Sequence, residues 1–150
     1  MMTLYTVAFY LARGSVLLVE KTRPAWQAGL WNGIGGKLDT ESESPIECCR
    51  REFREETCLD VRDWRWFCTE EGSDYYLCCF AAEAPQPVPV PQQNDRGERL
   101  AWLPYSQLGD EHHPVVGNLR WLIPLAQDWR QPEVVNVRTR FRNITERPSW

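Results

Sequence analysis

No apolar run in this chain approaches the roughly 20 residues needed to cross a bilayer, so no membrane-spanning helix is expected. Positive charge is in short supply. Lys and Arg number 17 against 21 Asp and Glu, a formal net charge of −4, which argues against a nucleic-acid surface built on a bulk positive field. There is no CxxC and no pair of His at metal-ligand spacing, and the six cysteines fall as Cys48-Cys49, Cys58, Cys68 and Cys78-Cys79. Adjacent cysteines make poor disulfide frameworks and poor zinc sites, so the expectation is buried free thiols in a cytoplasmic protein. The opening MMTLYTVAFYLARG lacks a basic leading segment and reads as a strand, not a secretory signal. Without such a signal, the glycosylation pattern Asn143-Ile144-Thr145 reads as chance. Internal repeats and domain linkers are also lacking, and 150 residues suffice for one domain, 1–150, with its own core.

What is present is a mixed pattern of strands and helices. Strands are expected over 4–10 and 16–20, joined by a turn at Arg13-Gly14, then a loop over 22–30 and a short segment over 31–36. Further strands are expected over 64–69, 75–82 and 100–103, with the Pro-rich stretch 84–92 (APQPVPVPQ) extended and loop-like. A helix over 119–127 would put Trp121, Leu122 and Leu125 on one side, with Pro124 kinking or dividing it. Residues 134–141 alternate Val135, Val137, Thr139 and Phe141 against Asn136, Arg138 and Arg140, the period of a strand. The fold class is α/β (α+β), a mixed sheet flanked by helices.

The densest information lies in GKLDTESESPIECCRREFREETCL, from Gly36 to Leu59. Ser44-Pro45-Ile46-Glu47 is a capping box with Pro at the first helical position, and no Gly or Pro interrupts the chain from there to about Thr57. Ile46, Cys49 and Phe53 supply an apolar stripe. Glu52, Glu55 and Glu56 sit three and four apart, so their carboxylates share one face and repel each other. A solvated acidic face is one reading. A cation held between the acids, Mg²⁺ or Mn²⁺, is the other, and the preceding GIGGKL turn with the Arg50-Arg51 pair favours it.

This stretch resembles the Nudix box, G-x5-E-x7-R-E-U-x-E-E-x-G-U, where U is a bulky aliphatic residue. Glu43 stands seven residues before Arg51, and Arg51-Glu52-Phe53-Arg54-Glu55-Glu56 follows the second half, with Phe53 and Leu59 at the U positions. Two departures stand out. The Gly36-to-Glu43 loop carries one extra residue, and Cys58 replaces the Gly expected where the chain leaves the helix in left-handed geometry. The resemblance implies a Nudix α/β/α sandwich with a mixed central sheet, and a Mg²⁺-dependent hydrolase of nucleoside diphosphates linked to another group. It implies a metal set of Glu52, Glu55 and Glu56 with the main-chain carbonyl of Gly36. Arg51, paired with Glu43 or Glu52, would orient the acids, and one carboxylate would orient or deprotonate water. A later acid often completes such sites. Glu98 is the candidate, with an ordinary loop role the alternative for it and for Asp95.

Beyond the box, Leu4-Tyr5-Thr6 and Trp31-Asn32-Gly33-Ile34-Gly35-Gly36-Lys37 resemble the MutT-type diphosphatases of oxidised purine nucleoside triphosphates. By that likeness Asn32 bonds the base, Thr6 lines the pocket, Gly35 and Lys37 belong to the substrate site, and Lys21 reaches a phosphate or the base. The plain alternatives are a loop-holding Asn32, a simple strand residue at Thr6 and a solvated Lys21. Downstream the likeness fades: where the mammalian member of that group has a pair of Asp, this chain has Asn118. Asn118 is expected to face the base, and Trp26 to offer a stacking surface. The partner implied is a nucleotide, with no nucleic acid and no membrane, and with monomer and homodimer equally compatible. The expected reaction releases monophosphate and pyrophosphate from a nucleoside triphosphate such as 8-oxo-dGTP. Dinucleoside polyphosphates or ADP-ribose-type substrates are the alternative within the class, with Tyr75-Tyr76 a hint toward the former. A non-catalytic nucleotide sensor is the alternative outside it.

Overall fold

Strand β1 (Thr3–Ala12) is buried on both faces from Thr6 onward, which explains the near-continuous apolar run VAFYLA in its sequence. The structure is a computed structural model and describes residues 1–39, 41–128, 131 and 133–140. One edge of β1 pairs in parallel with β6 (Tyr75–Glu83). Its other edge is divided between β2 (Ser15–Glu20), opposite residues 10–12, and β4 (Ile34–Lys37), opposite residues 5–8, both antiparallel. Outward from this centre, β2 carries β3 (Trp31–Asn32) and β7 (Leu100–Pro104), while β6 carries β5 (Arg65–Glu71) and then β8 (Val135–Arg138).

The two parities of β1 feed two cores. Val7, Phe9 and Leu11, with Leu18, Phe67 and Cys79, pack beneath helix α2 (Leu119–Ala126). Ala8, Tyr10 and Ala12, with Leu17 and Phe80, pack beneath helix α1 (Pro45–Thr57), whose Phe53 is fully buried. Phe53 meets Trp64 edge-on at 4.8 Å and Tyr10 at 5.5 Å between ring centroids, and burying such a ring contributes about 2–3 kcal/mol. The result is the expected α/β/α arrangement around a mixed sheet. Among the described residues no helix is long and apolar enough to cross a membrane.

The capping box forms as expected: Ser44 N–H donates to Glu47 at 2.8 Å and Glu47 N–H donates to the Ser44 hydroxyl at 3.3 Å. Several expectations need correction. Helix α2 buries Leu119, Leu122, Ile123 and Ala126, so Trp121 and Leu125 flank its core face, and Pro124 is accommodated inside one helix. The last strand covers only Val135–Arg138; Phe141 and the Asn143-Ile144-Thr145 pattern lie outside the described residues. Five cysteines are buried and all six are free, but Cys58 is exposed. Cys58 is also the sole non-glycine residue with positive φ among the described residues, at φ 61°. It ends α1 in left-handed geometry with its N–H bonded to the Arg54 carbonyl at 2.9 Å. An L side chain is strained there, so Cys58→Gly should raise stability by about 0.5–1 kcal/mol in urea denaturation, net of the chain entropy glycine adds.

Candidate active site

Helix α1 withdraws two acids of its stripe from solvent and leaves Glu55 exposed. Glu52 and Glu56 are 6% and 2% exposed, because the helix lies against β4 and the loop before β7. Gly36 permits this on one side. A Cβ there would stand 2.5 Å from the Glu52 carboxyl carbon and 2.6 Å from its Oε1, so only glycine lets that carboxylate lie on the strand. Arg51 organises the group. Its guanidinium is bidentate on Glu43, at 2.7 and 3.1 Å, and a further donor reaches Glu52 Oε1 at 2.8 Å and Glu55 at 3.4 Å. The bond from Arg51 holds the Glu43 carboxyl below the usual range, whereas burial raises Glu52 despite the same cation.

A second cluster backs Glu56. Asn94 donates to Glu56 Oε1 at 2.9 Å and to Glu98 Oε1 at 3.1 Å, tying the two acids together. Glu98 is fully buried and is no ordinary loop residue. Its Oε2 accepts from the Thr22 N–H at 2.8 Å and hydroxyl at 3.2 Å, and Lys21 Nζ lies 3.6 Å from Oε1. Burial pushes the Glu98 carboxyl up, but the donors from Thr22 and Asn94 with the Lys21 charge outweigh it and leave it low. Lys21, with a side chain only 15% exposed, is not the solvated lysine of the plain reading. Glu56 goes the other way: desolvation carries it to about 7, against the pull of Lys21, Arg96 and Asn94. The Arg96 guanidinium stands 3.9 Å from it.

Lys21, Gly36 and Arg96, which back these acids, line one end of a cleft of about 650 Å³ together with Lys37, while the acids themselves stand behind its wall. Val7, Leu77, Val116, Leu122 and Asn118 line it elsewhere, with Trp26 and Tyr75. All six residues expected to meet substrate (Thr6, Lys21, Asn32, Gly35, Lys37 and Asn118) border this cleft. Their side chains are used differently. The Thr6 hydroxyl is 3.4 Å from Cys48 Sγ on α1, the opposite sheet face from Thr3, Tyr5 and Val7. Asn32 donates to Gln27 at 3.0 Å and accepts from the Gly33 N–H at 2.8 Å, the loop-holding arrangement. Gly35 lets β4 approach the Thr6 backbone. Trp26 is 67% exposed at the cleft.

Sequence reasoning missed Asn94, Arg96 and Glu70. Asn94 and Arg96 sit in a turn whose Asn-Asp-Arg-Gly composition signals a loop and nothing more. Glu70 did leave a trace: it follows Cys68 by two on a strand, so an acid falls on a core-facing position. Glu70 is 2% exposed.

A family model of the NUDIX domain matches residues 2–125. A nucleoside triphosphate pyrophosphatase/Nudix hydrolase fusion protein of Bifidobacterium longum is 30% identical over 118 residues, covering 75% of this chain and 23% of that protein. This chain thus spans under a quarter of that relative. A MutT protein of Bacillus halodurans superposes with a TM-score of 0.69 at 21% identity, covering 85% of this chain and 84% of that one. The Nudix domain of Shewanella oneidensis NrtR, solved with ADP ribose, gives 0.72 at 22% identity over 85% and 88% of the two chains. The structural likenesses speak for the fold; the family match settles membership. This chain belongs to the Nudix family, whose hydrolases act on pyrophosphate bonds and generally use a divalent metal.

The donor set fits such an ion. Among the described residues no three His, Cys, Asp or Glu side chains converge as they stand; Arg51 holds one oxygen of Glu52 and Asn94 one oxygen of Glu56. The other oxygens, Glu52 Oε2 and Glu56 Oε2, are buried without a hydrogen-bond partner. Unpartnered buried carboxylate oxygens on adjacent turns are what a hard cation would satisfy.

A carboxyl whose folded pKa is raised from 4.5 to about 7 holds a proton the unfolded chain has lost, so stability falls as pH rises between those values. In metal-free protein, Glu56→Gln should match wild type in Tm near pH 4 and exceed it increasingly toward about pH 7.5. Glu52, Lys21 and Arg96 face the same carboxyl, and equal Tm differences at both ends would contradict the burial account.

Proposed function

We propose that this chain is a Mg²⁺-dependent pyrophosphohydrolase. It would cleave nucleoside triphosphates, oxidised purine deoxynucleotides such as 8-oxo-dGTP among them, to the monophosphate and pyrophosphate. The observation that carries this reading is a cleft that joins cationic residues to a largely apolar lining. Lys21, Lys37 and Arg96 offer cations to a polyphosphate, while Val116, Leu122, Leu77 and Asn118 offer an apolar seat with one amide.

In this reading Glu52 and Glu56, with the Gly36 carbonyl, hold the ion, and Glu55 and Glu98 are the flanking carboxylates. Bound there, Mg²⁺ would neutralise pyrophosphate charge as it builds toward the transition state. Arg51 keeps Glu43 and Glu52 in register, and Asn94 fixes Glu56 against Glu98. Water adds to phosphorus, the bridging P–O bond breaks, pyrophosphate leaves, and the proton of the water passes to a carboxylate of the set. A second reading, hydrolysis of a dinucleotide or ADP-ribose-type substrate, draws on the ADP ribose bound by the Shewanella neighbour. Exposed Trp26 beside the cleft offers a surface to a second moiety.

The test is to incubate the protein with Mg²⁺ and a panel of normal and oxidised triphosphates, dinucleotides and ADP-ribose, identifying products by mass. Monophosphate plus pyrophosphate supports the first reading; cleavage of dinucleotides alone moves the assignment to the second; binding without turnover would indicate a sensor. EDTA should abolish turnover, and Glu52→Gln or Glu56→Gln should lower kcat about 100-fold or more, equivalent to about 3 kcal/mol. Full activity in both Glu55→Gln and Glu56→Gln would put the helix assignment in error. Asn118→Ala should raise KM more than it lowers kcat.

A further inference from the structure

We propose that Glu70 is a positioning residue that fixes the amide of Asn118, so that the cleft offers the Asn118 Oδ1 acceptor to an N–H donor on the edge of a purine base. This rests on the nucleotide reading above and narrows it to a feature of the base. Three elements deliver donors to the buried Glu70 carboxylate. The Tyr75 hydroxyl at the start of β6 lies 2.9 Å from Oε1, the Thr139 hydroxyl just past β8 lies 3.3 Å from Oε1, and Asn118 Nδ2 lies 3.0 Å from Oε2.

An amide can sit in either of two orientations, but a carboxylate oxygen only accepts. Turned the other way, Asn118 would set its oxygen against Glu70 Oε2, acceptor against acceptor. The Glu70 bond therefore selects one orientation and leaves Asn118 Oδ1, which is buried and has no partner. Helix capping does not account for the side chain. Asn118 stands at the N-terminus of α2, a position where Asn often caps, yet it has αR geometry and makes no capping bond. Its side chain is committed to Glu70 and borders the cleft beside Leu122.

A base with an edge N–H, such as the 6-amino group of adenine or the N1–H and 2-amino group of guanine, would satisfy that oxygen. Unsubstituted purine, which has no edge N–H, would leave it buried and unpaired, for a loss of about tenfold in affinity.

The experiment is titration calorimetry with AMP, GMP and purine riboside 5′-monophosphate in Mg²⁺ buffer, on wild type, Glu70→Gln and Asn118→Leu, with Tm recorded for each. Wild type should bind AMP or GMP about tenfold more tightly than purine riboside monophosphate. In Glu70→Gln the new amide can donate as well as accept, Asn118 is free to turn, and the ratio should fall to about threefold or less. Asn118→Leu should erase it, which keeps the test available if Glu70→Gln fails to fold. A purely structural Glu70 would lower Tm and weaken all three ligands alike. A ratio that neither folded variant moves, a wild-type ratio near unity, or no binding of any monophosphate overturns the proposal. Failure of the hydrolase reading looks different: no turnover of triphosphates, with the binding ratio intact.

Discussion

A carboxylate removed from water must find donors or a cation, and helix α1 buries two of them one turn apart. That constraint governs much of what surrounds the helix. Gly36 is bare because Glu52 lies on it, and Arg51 spreads its donors over Glu43, Glu52 and Glu55. Asn94 is drawn in to tie Glu56 to Glu98. Even so, one oxygen of Glu52 and one of Glu56 stay unpartnered. A fold selected for stability alone would gain by replacing them with apolar groups. In the function proposed above, the unpartnered oxygens are the ones a bound cation would take.

The cleft exists because β1 serves two cores and gives one edge to two different strands. Its pairing passes from β2 to β4 midway, so the GIGGKL segment runs directly beneath the acids of α1. On the opposite face, the same strand floors the space beneath α2 with Tyr5 and Val7. Lys37, opposite Tyr5, stands on this face with Val7, whereas Gly36, opposite Thr6, backs the acids of α1, so the cleft and the buried acids meet through β4. The Nudix relatives share this architecture at low identity, as expected where strand pairing and parity, not particular side chains, build the cleft.

The buried polar contacts also divide by purpose. Arg51 with Glu43 is a bidentate, charge-assisted pair that fixes orientation. Glu70 with Tyr75, Thr139 and Asn118 is a network on the other face, and in the proposal above it sets the acceptor offered to the base. Both are costly to leave partly satisfied, so each rigidifies the element it anchors.

What the sequence by itself determined was whatever depends on neighbours within a turn or two. The capping box, the span of α1, the shared face of Glu52, Glu55 and Glu56, the left-handed exit at Cys58 and the main strands are all of this kind. Motif spacing added the pairing of Arg51 with Glu43, which the structure forms at 2.7 Å. The tertiary structure alone decided which long-range partners meet. Asn94 reaches Glu56 across 38 residues and Asn118 reaches Glu70 across 48. It also turned Thr6 toward Cys48 and, of the two uses open to Asn32, gave it the loop-holding bond to Gln27. Helical periodicity and capping are local properties of the backbone. Strand register and packing between distant segments are not, since a one-residue shift would reverse every side chain of a strand.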